Sequence, residues 1–435
     1  MNLDSAVFRV FKNQDLPIPI EGKGAEIITE EGKFLDLTGG GTSYCILGWN
    51  HPKVNEAIST QLTKFGHLDY KLWQDPNVEE LAQIVVNKAP SGLRFVYFGG
   101  NSGAEACEAA MKISYQSHFN KGNQGKKWFI SREQSYHGAT SDALSLGDRP
   151  NLAFYKPMLS PYRSKVPMHH YKKMGFSGET ELEYAKRSAQ QLETEILRIG
   201  PNYVAGFIGE TIMGGLVGDV PPAKTYWQEI EKVCKKYEVH LILDEVYCGT
   251  GVSGKYFCYE YDDVNPDIVF MSKTVAAGYG VLNLVCVTNE IYDSIRSYQD
   301  GRLQHTTTHQ AHSLSVAAAL AVQKIVSNED FLSDVHRKGL KFREILGEML
   351  IDNDALVDIR GRGLRFSLEH KFENQLEFGA KIENALREEG ILINAKWHRI
   401  CFTPPLILSD DQIEYAAETF SHKFEIISKR FDILK

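Results

Sequence analysis

The sequence predicts an α/β protein, with a mostly parallel sheet in a large domain and a smaller α+β domain built from both chain ends. Three observations predict it. From about residue 90 to residue 325, short apolar segments alternate with amphipathic ones, the order that buries a parallel sheet between helices. Both ends of the chain break that alternation. The length, 435 residues with 43% hydrophobic content, suffices for more than one unit around a shared site. The expected division puts residues 1–60 and 329–435 in the small domain and 61–328 in the large one.

Residues 25–37 read as a hairpin turning at Glu31 and Gly32. A helix then opens with Pro52 at its first position, where the amide proton is not needed. Strands are expected at 93–98, 127–131, 203–208, 239–243, 268–271 and 284–287, each short and apolar like strands covered on both faces. Residues 179–198 place Leu182, Ala185, Ala189, Leu192 and Ile196 at helical spacing, and Gly200 with Pro201 stops that helix. In the tail, 364–368 and 400–402 read as strands among helices. Residues 122–126 and 156–174 read as surface excursions.

A net charge of −8 with 24% charged residues gives no basic footprint, so neither nucleic acid nor a membrane surface is an expected partner. Small-molecule chemistry is expected instead. No apolar run approaches the roughly 18 residues of a bilayer span, and residues 1–9 lack the pattern of a secretory leader, so the expected location is cytoplasmic. The seven cysteines are scattered and form no Cys-x-x-Cys pair, which predicts free, mostly buried thiols. His305, His309 and His312 recur at spacings of four and three, but they fall in a Thr-rich turn without an acidic ligand, so no metal site is expected. His169 and His170 read as a solvated loop pair.

The strand at 239–243 ends in Asp244 and Glu245, and the strand at 268–271 is followed by Ser272-Lys273-Thr274. Ligands of open α/β sheets bind outside the carboxyl ends of strands. If the two strands lie close, a lysine and a carboxylate face one crevice. Pyridoxal phosphate needs such a pair: an amine to condense with its carbonyl carbon, and a carboxylate to keep its ring nitrogen protonated as an electron sink. Phe98-Gly99-Gly100-Asn101-Ser102-Gly103-Ala104-Glu105-Ala106 reads as strand, glycine turn and an Ala-rich helix to about Tyr115. The amides and dipole at such a helix start attract a phosphate, and Ser102 adds a hydroxyl. Ser135-Tyr136-His137-Gly138 offers an aromatic ring to a flat cofactor. Taken singly, these pieces have plainer readings as a surface lysine, a helix cap and a core tyrosine.

Taken in order, the pieces resemble the class III, or omega-amino-acid, aminotransferases of the fold-type I pyridoxal-phosphate superfamily. Leu47-Gly48-Trp49-Asn50-His51-Pro52 is similar to the family's Leu-Gly-His-x-His-Pro segment, with Trp49 replacing His. Asn101 to Ala106 resembles the phosphate loop, and Tyr136-His137-Gly138 the ring-stacking segment. Leu243-Asp244-Glu245-Val246-Tyr247-Cys248-Gly249-Thr250-Gly251 is similar to the Asp-Glu-Val-x-x-Gly-x-Gly signature, where the glycine spacing makes the match specific. Ser272-Lys273 with Gly278-Tyr279-Gly280 resembles the lysine segment. Thr308-His309-Gln310-Ala311-His312 resembles the Thr-Tyr-Gln-Ala-His-Pro turn, with His309 for Tyr and Ser313 for Pro.

The resemblance implies that pyridoxal 5'-phosphate is the cofactor, with Lys273 and Asp244 as catalytic residues. Lys273 would bind the cofactor and move the substrate proton, and Asp244 would pair with the ring nitrogen. Tyr136 and Val246 would flank the ring, Ser102, Gly103 and Ala104 would serve the phosphate, and His137 and Glu210 would complete the cofactor pocket. Thr308 would reach the phosphate in the neighbouring subunit, which implies a homodimer. The implied partners are a small amino donor and a keto-acid acceptor.

Two departures bear on substrate choice. Relatives acting on alpha-amino acids or 2-oxoglutarate hold an arginine three residues before the Pro-Pro-Leu turn, where this chain has Cys401. Their gate glutamate, five residues after a Glu-Pro pair, is replaced by Gly215, and Thr211 replaces the proline. Arg399, Arg163 and Arg302 are the candidate substitutes for the missing cation. The expected reaction is therefore amino transfer from an amine or omega-amino acid, with pyruvate rather than 2-oxoglutarate as acceptor. A racemase or aminomutase on the same fold shares the first deprotonation and is the alternative. A non-catalytic homologue is at odds with the presence of both Asp244 and Lys273.

Overall fold

A seven-stranded sheet takes the spatial order Leu93–Phe98, Leu284–Thr288, Ile268–Met271, His240–Asp244, Val204–Glu210, Trp128–Arg132 and Arg163–Val166. The last five pair parallel, and Leu284–Thr288 runs antiparallel to both of its neighbours. The structure, a computed structural model, describes residues 6–10, 17–90, 92–150 and 152–433. Of the segment read for a leader, residues 1–5 lie outside the described residues. Six of the seven strands lie where their apolar runs predict them.

The seventh corrects the reading of 156–174 as a surface excursion. Arg163–Val166 is an edge strand hydrogen-bonded to Trp128–Arg132, and its sequence, Arg-Ser-Lys-Val, carries no apolar alternation to announce it. His169 and His170, just beyond, are buried and not a solvated pair. The His169 Nε2 accepts from the Ala223 amide at 2.8 Å. Burial lowers the pKa of His169 to about 3 and of His170 to about 4, so both are neutral inside the fold.

The helix Gly103–Asn120 runs past Tyr115, and Ala106, Ala109 and Ala110 are fully buried on the sheet side, where small side chains permit close approach. The helix Glu181–Ile199 starts in a capping box between Thr180 and Glu183 and ends at Gly200, whose φ of 100° favours glycine. The early hairpin pairs Glu26–Thr29 with Gly32–Asp36, turning one residue before the expected position. The C-terminal strand Ile391–Leu392 adds to Gly32–Asp36 in parallel, so the two ends of the chain meet in one sheet. A third sheet orders Leu356–Arg362, Arg365–His370, Arg399–Phe402 and Asn394–Lys396. The Phe366 and Phe402 rings stack 4.8 Å apart beneath the helices Glu329–Met349 and Asp410–Ile433.

Among the described residues, no helix is long and apolar enough to cross a membrane. All seven cysteines are buried and free, as their spacing predicts.

Candidate active site

Strand register assembles the reactive groups. Asp244 pairs with Phe270 on one side and with Glu210 on the other. Lys273 therefore emerges beside Asp244 at the same carboxyl edge, although it lies 29 residues further along the chain. A cavity of about 490 Å³ opens there, lined by Asp244, Lys273, Glu210, Tyr136, His137, Ser102, Gly103, Ala104 and Val246. Larger cavities of about 800 and 720 Å³ contain none of these residues. Of the candidate cofactor-binding residues, Thr308 alone does not line the site. It is exposed, in a turn where Ala311 donates to the Gly99 carbonyl at 3.4 Å.

The Asp244 carboxylate is buried and held at both oxygens. Its Oδ2 is 2.7 Å from His137 Nδ1, and its Oδ1 accepts the Val246 amide at 2.9 Å. His137 thus positions the aspartate. Its Nε2 is buried with no partner among the described residues. Glu210 is also buried, and it accepts from the Tyr136 and Gly214 amides, each at 3.1 Å, which ties the Tyr136 segment to the 210–215 loop. Burial raises the pKa of Glu210, and Asp244 adds to the rise.

Burial lowers the pKa of Lys273. The nearby cations Arg365 and Arg149 act in the same direction, and Asp244 and Glu210 oppose them. An amine held in this way carries its lone pair more readily than a solvated lysine, as a nucleophile must.

The phosphate end is a helix start with room for an anion. Ser102 is the N-cap of Gly103–Asn120, yet its hydroxyl makes no capping bond. A Cβ on Gly103 would fall 2.6 Å from Val246 Cγ1, and one on Gly138, whose φ is 146°, would fall 2.5 Å from the Ala104 Cβ. The two glycines let Val246 and the Tyr136-His137-Gly138 segment close on the helix start. Flanking apolar and aromatic side chains, a free hydroxyl with helix amides, a buried carboxylate and a buried amine together fit a flat phosphorylated ring bearing an aldehyde.

The candidate substitute arginines are placed elsewhere. Arg163 lies on the edge strand, 3.1 Å from Asp142, and Arg302 lines the two larger cavities. Arg399 is buried and gives its guanidinium to the Gly215 and Leu216 carbonyls. None of the three lines the site. Cys401 is buried, and its sulfur is 3.5 Å from the Ser367 hydroxyl, which also bonds Asp219. Gly215 packs on Tyr136, with its virtual Cβ 3.1 Å from the tyrosine Cβ.

Sequence reasoning missed Arg149, Tyr247 and Lys396, which line the cavity together with Gly41, Thr42, Ser43 and Tyr44. The run Gly39-Gly40-Gly41 signals a close backbone approach, whereas nothing in Asp148-Arg149-Pro150 does. Glu245, Cys248 and Cys258 bring buried ligand atoms within 4.8 Å of one another. The Glu245 oxygens already accept from Thr211 Oγ1 and from the Cys258 and Tyr259 amides at 2.7 to 3.0 Å, so the carboxylate is engaged in holding its own turn.

The sequence matches the family described as aminotransferase class-III over residues 11–424. It is 32% identical to gamma aminobutyrate transaminase 2 of Solanum lycopersicum, covering 93% of this chain and 90% of that protein. It is 30% identical to an uncharacterized aminotransferase of Schizosaccharomyces pombe, covering 95% and 94%. Among solved structures, the omega transaminase of Pseudomonas jessenii in complex with PMP superimposes with a TM-score of 0.89 at 28% identity, over 95% of this chain and 93% of that one. The PMP-bound aminotransferase of Vibrio fluvialis gives 0.86 at 27% identity, over 95% and 93%. With the site geometry, these matches place the chain in the class III aminotransferases, enzymes whose cofactor is pyridoxal 5'-phosphate.

Proposed function

We propose that this aminotransferase moves an amino group from an amine or omega-amino acid to a keto acid, with pyruvate preferred over 2-oxoglutarate. The observation that carries this reading is the absence of a cation at position 401. The position that holds an arginine in relatives using 2-oxoglutarate is a buried thiol here, and the nearby Arg399 is committed to backbone carbonyls. A distal carboxylate entering that space would lose its water without gaining a cation.

When bound, pyridoxal phosphate supplies an aldehyde carbon and an electron-withdrawing ring. Lys273 would provide the amine for that carbon and carry the proton between substrate and cofactor. Asp244, fixed by His137 and the Val246 amide, would keep a proton on the ring nitrogen. Tyr136 and Val246 would confine the ring. Ser102, Gly103 and Ala104 would donate to the phosphate, and Glu210 would hold Tyr136 in place.

The homodimer implied by Thr308 remains part of the proposal, since an exposed threonine outside its own cavity is free to serve a second copy. Seven free, buried thiols favour a reducing compartment such as the cytoplasm. The test is the ratio of catalytic efficiencies with pyruvate and 2-oxoglutarate at a fixed amino donor. A ratio above about ten supports the proposal, and a ratio below one overturns the acceptor assignment.

A further inference from the structure

A substrate that carries both an amine and a carboxylate needs a partner for its second end, and neither Arg399 nor Arg365 lines the cavity that holds Lys273. Arg399 holds the Gly215 and Leu216 carbonyls, and Arg365 donates to the Tyr247 carbonyl at 3.2 Å and the Ser43 carbonyl at 2.7 Å. The mouth of the cavity differs. The Asp148 amide bonds the Ser135 carbonyl at 2.9 Å, while its carboxylate takes the Gln134 amide at 3.1 Å and Lys165 Nζ at 3.0 Å. This staple sets the next residue, Arg149, over the Tyr136 ring, with the guanidinium carbon 3.7 Å from the ring centroid. Arg149 and Lys396 both line the cavity that contains Lys273. Among the described residues, neither cation has an ion-pair partner.

We infer that Arg149 is the residue that binds the substrate carboxylate, with Lys396 as a second cation at the same mouth. The inference rests on the amino-transfer reading of the site and replaces the missing charge at position 401 with one from a different element. Stacking on Tyr136 holds the guanidinium plane against the ring and leaves its N–H edge for a carboxylate, which it can grip with two hydrogen bonds. Neither Asp148 nor another acid competes for it, because Asp148 is engaged by Lys165. The charge of Arg149 reaches Lys273, where it helps to lower the amine's basicity. A carboxylate at this mouth also retains some water, so its desolvation is smaller than at Cys401.

The test uses the holoenzyme and its Arg149→Met, Arg149→Lys and Lys396→Met variants with two readouts. The first is the equilibrium dissociation constant of butyrate, an unreactive carboxylate, followed by the visible absorbance of the bound cofactor. The second is the ratio of kcat/KM for beta-alanine to that for 1-aminobutane, which lacks a carboxylate. Arg149→Met should weaken butyrate at least tenfold and lower the donor ratio at least tenfold, mainly through KM of beta-alanine. Arg149→Lys should recover part of both, and Lys396→Met should show a smaller loss of the same kind. Unchanged butyrate binding overturns the inference, as does an equal loss for both donors, which would make Arg149 only a support for Tyr136. If the wild type turns over neither donor, the proposed reaction fails, while butyrate binding still decides the role of Arg149.

Discussion

Burial governs Lys273 and Asp244 in different ways. The lysine amine is pushed toward its neutral form, whereas the aspartate is held by His137 Nδ1 at 2.7 Å and the Val246 amide at 2.9 Å. Replacing Lys273 with alanine should abolish both transamination and the visible absorbance of the lysine-bound cofactor, and a borohydride-reducible adduct persisting in the variant would show that another residue holds the cofactor. Replacing Asp244 with asparagine removes the charge that favours a protonated ring nitrogen. The turnover number should then fall about 100-fold, equivalent to about 2.7 kcal/mol of barrier, and steady-state kinetics showing a loss below about tenfold would contradict this role. Both residues were legible in the sequence, because each stands at or just beyond the carboxyl end of an apolar strand. Arg149 was not: it acts from a turn whose place over Tyr136 depends on the contact of Asp148 with Ser135, which no local pattern encodes.

Among the elements, parallel strand ends do the assembling, and they were the most readable part of the chain. Their runs of Val, Ile, Leu and Phe, buried on both faces, set them apart from their surroundings. The edge strand Arg163–Val166 was unreadable for the converse reason, since its first three residues are only half-buried and polar. The small-domain sheet sets the environment of Cys401, which pairs with Ser367 across the antiparallel strands Arg365–His370 and Arg399–Phe402. An arginine at 401 would enter a space that Asp219 borders through Ser367. Cys401→Arg should raise the catalytic-efficiency ratio of 2-oxoglutarate to pyruvate. The rise should be larger in the double variant with Asp219→Asn, where no fixed carboxylate competes for the guanidinium. An unchanged ratio in both proteins would place the distal carboxylate elsewhere.

For the whole molecule, buried neutral histidines predict an acid-labile fold. Burial lowers the pKa of His118, His170 and His370 to about 4 and of His169 to about 3, from an ordinary 6.5. Below pH 6.5 the unfolded chain takes up these protons while the folded one does not. The stability present above pH 6.5 is therefore lost as the pH falls toward 4, by up to about 1.4 kcal/mol per pH unit for each histidine. The urea midpoint should be nearly level above pH 6.5 and fall steeply below it, and a level profile down to pH 4 would show that these side chains take up protons without unfolding. The central claim, that the Lys273 and Asp244 crevice performs amino transfer, is tested most directly by the two half-reactions on purified holoenzyme. Adding an amine or omega-amino acid without any acceptor should bleach the visible absorbance of the bound cofactor in a single turnover, and adding pyruvate should then restore it with formation of alanine. Absorbance that never bleaches with any amino donor, or a donor that is converted continuously without a keto acid, would contradict the account.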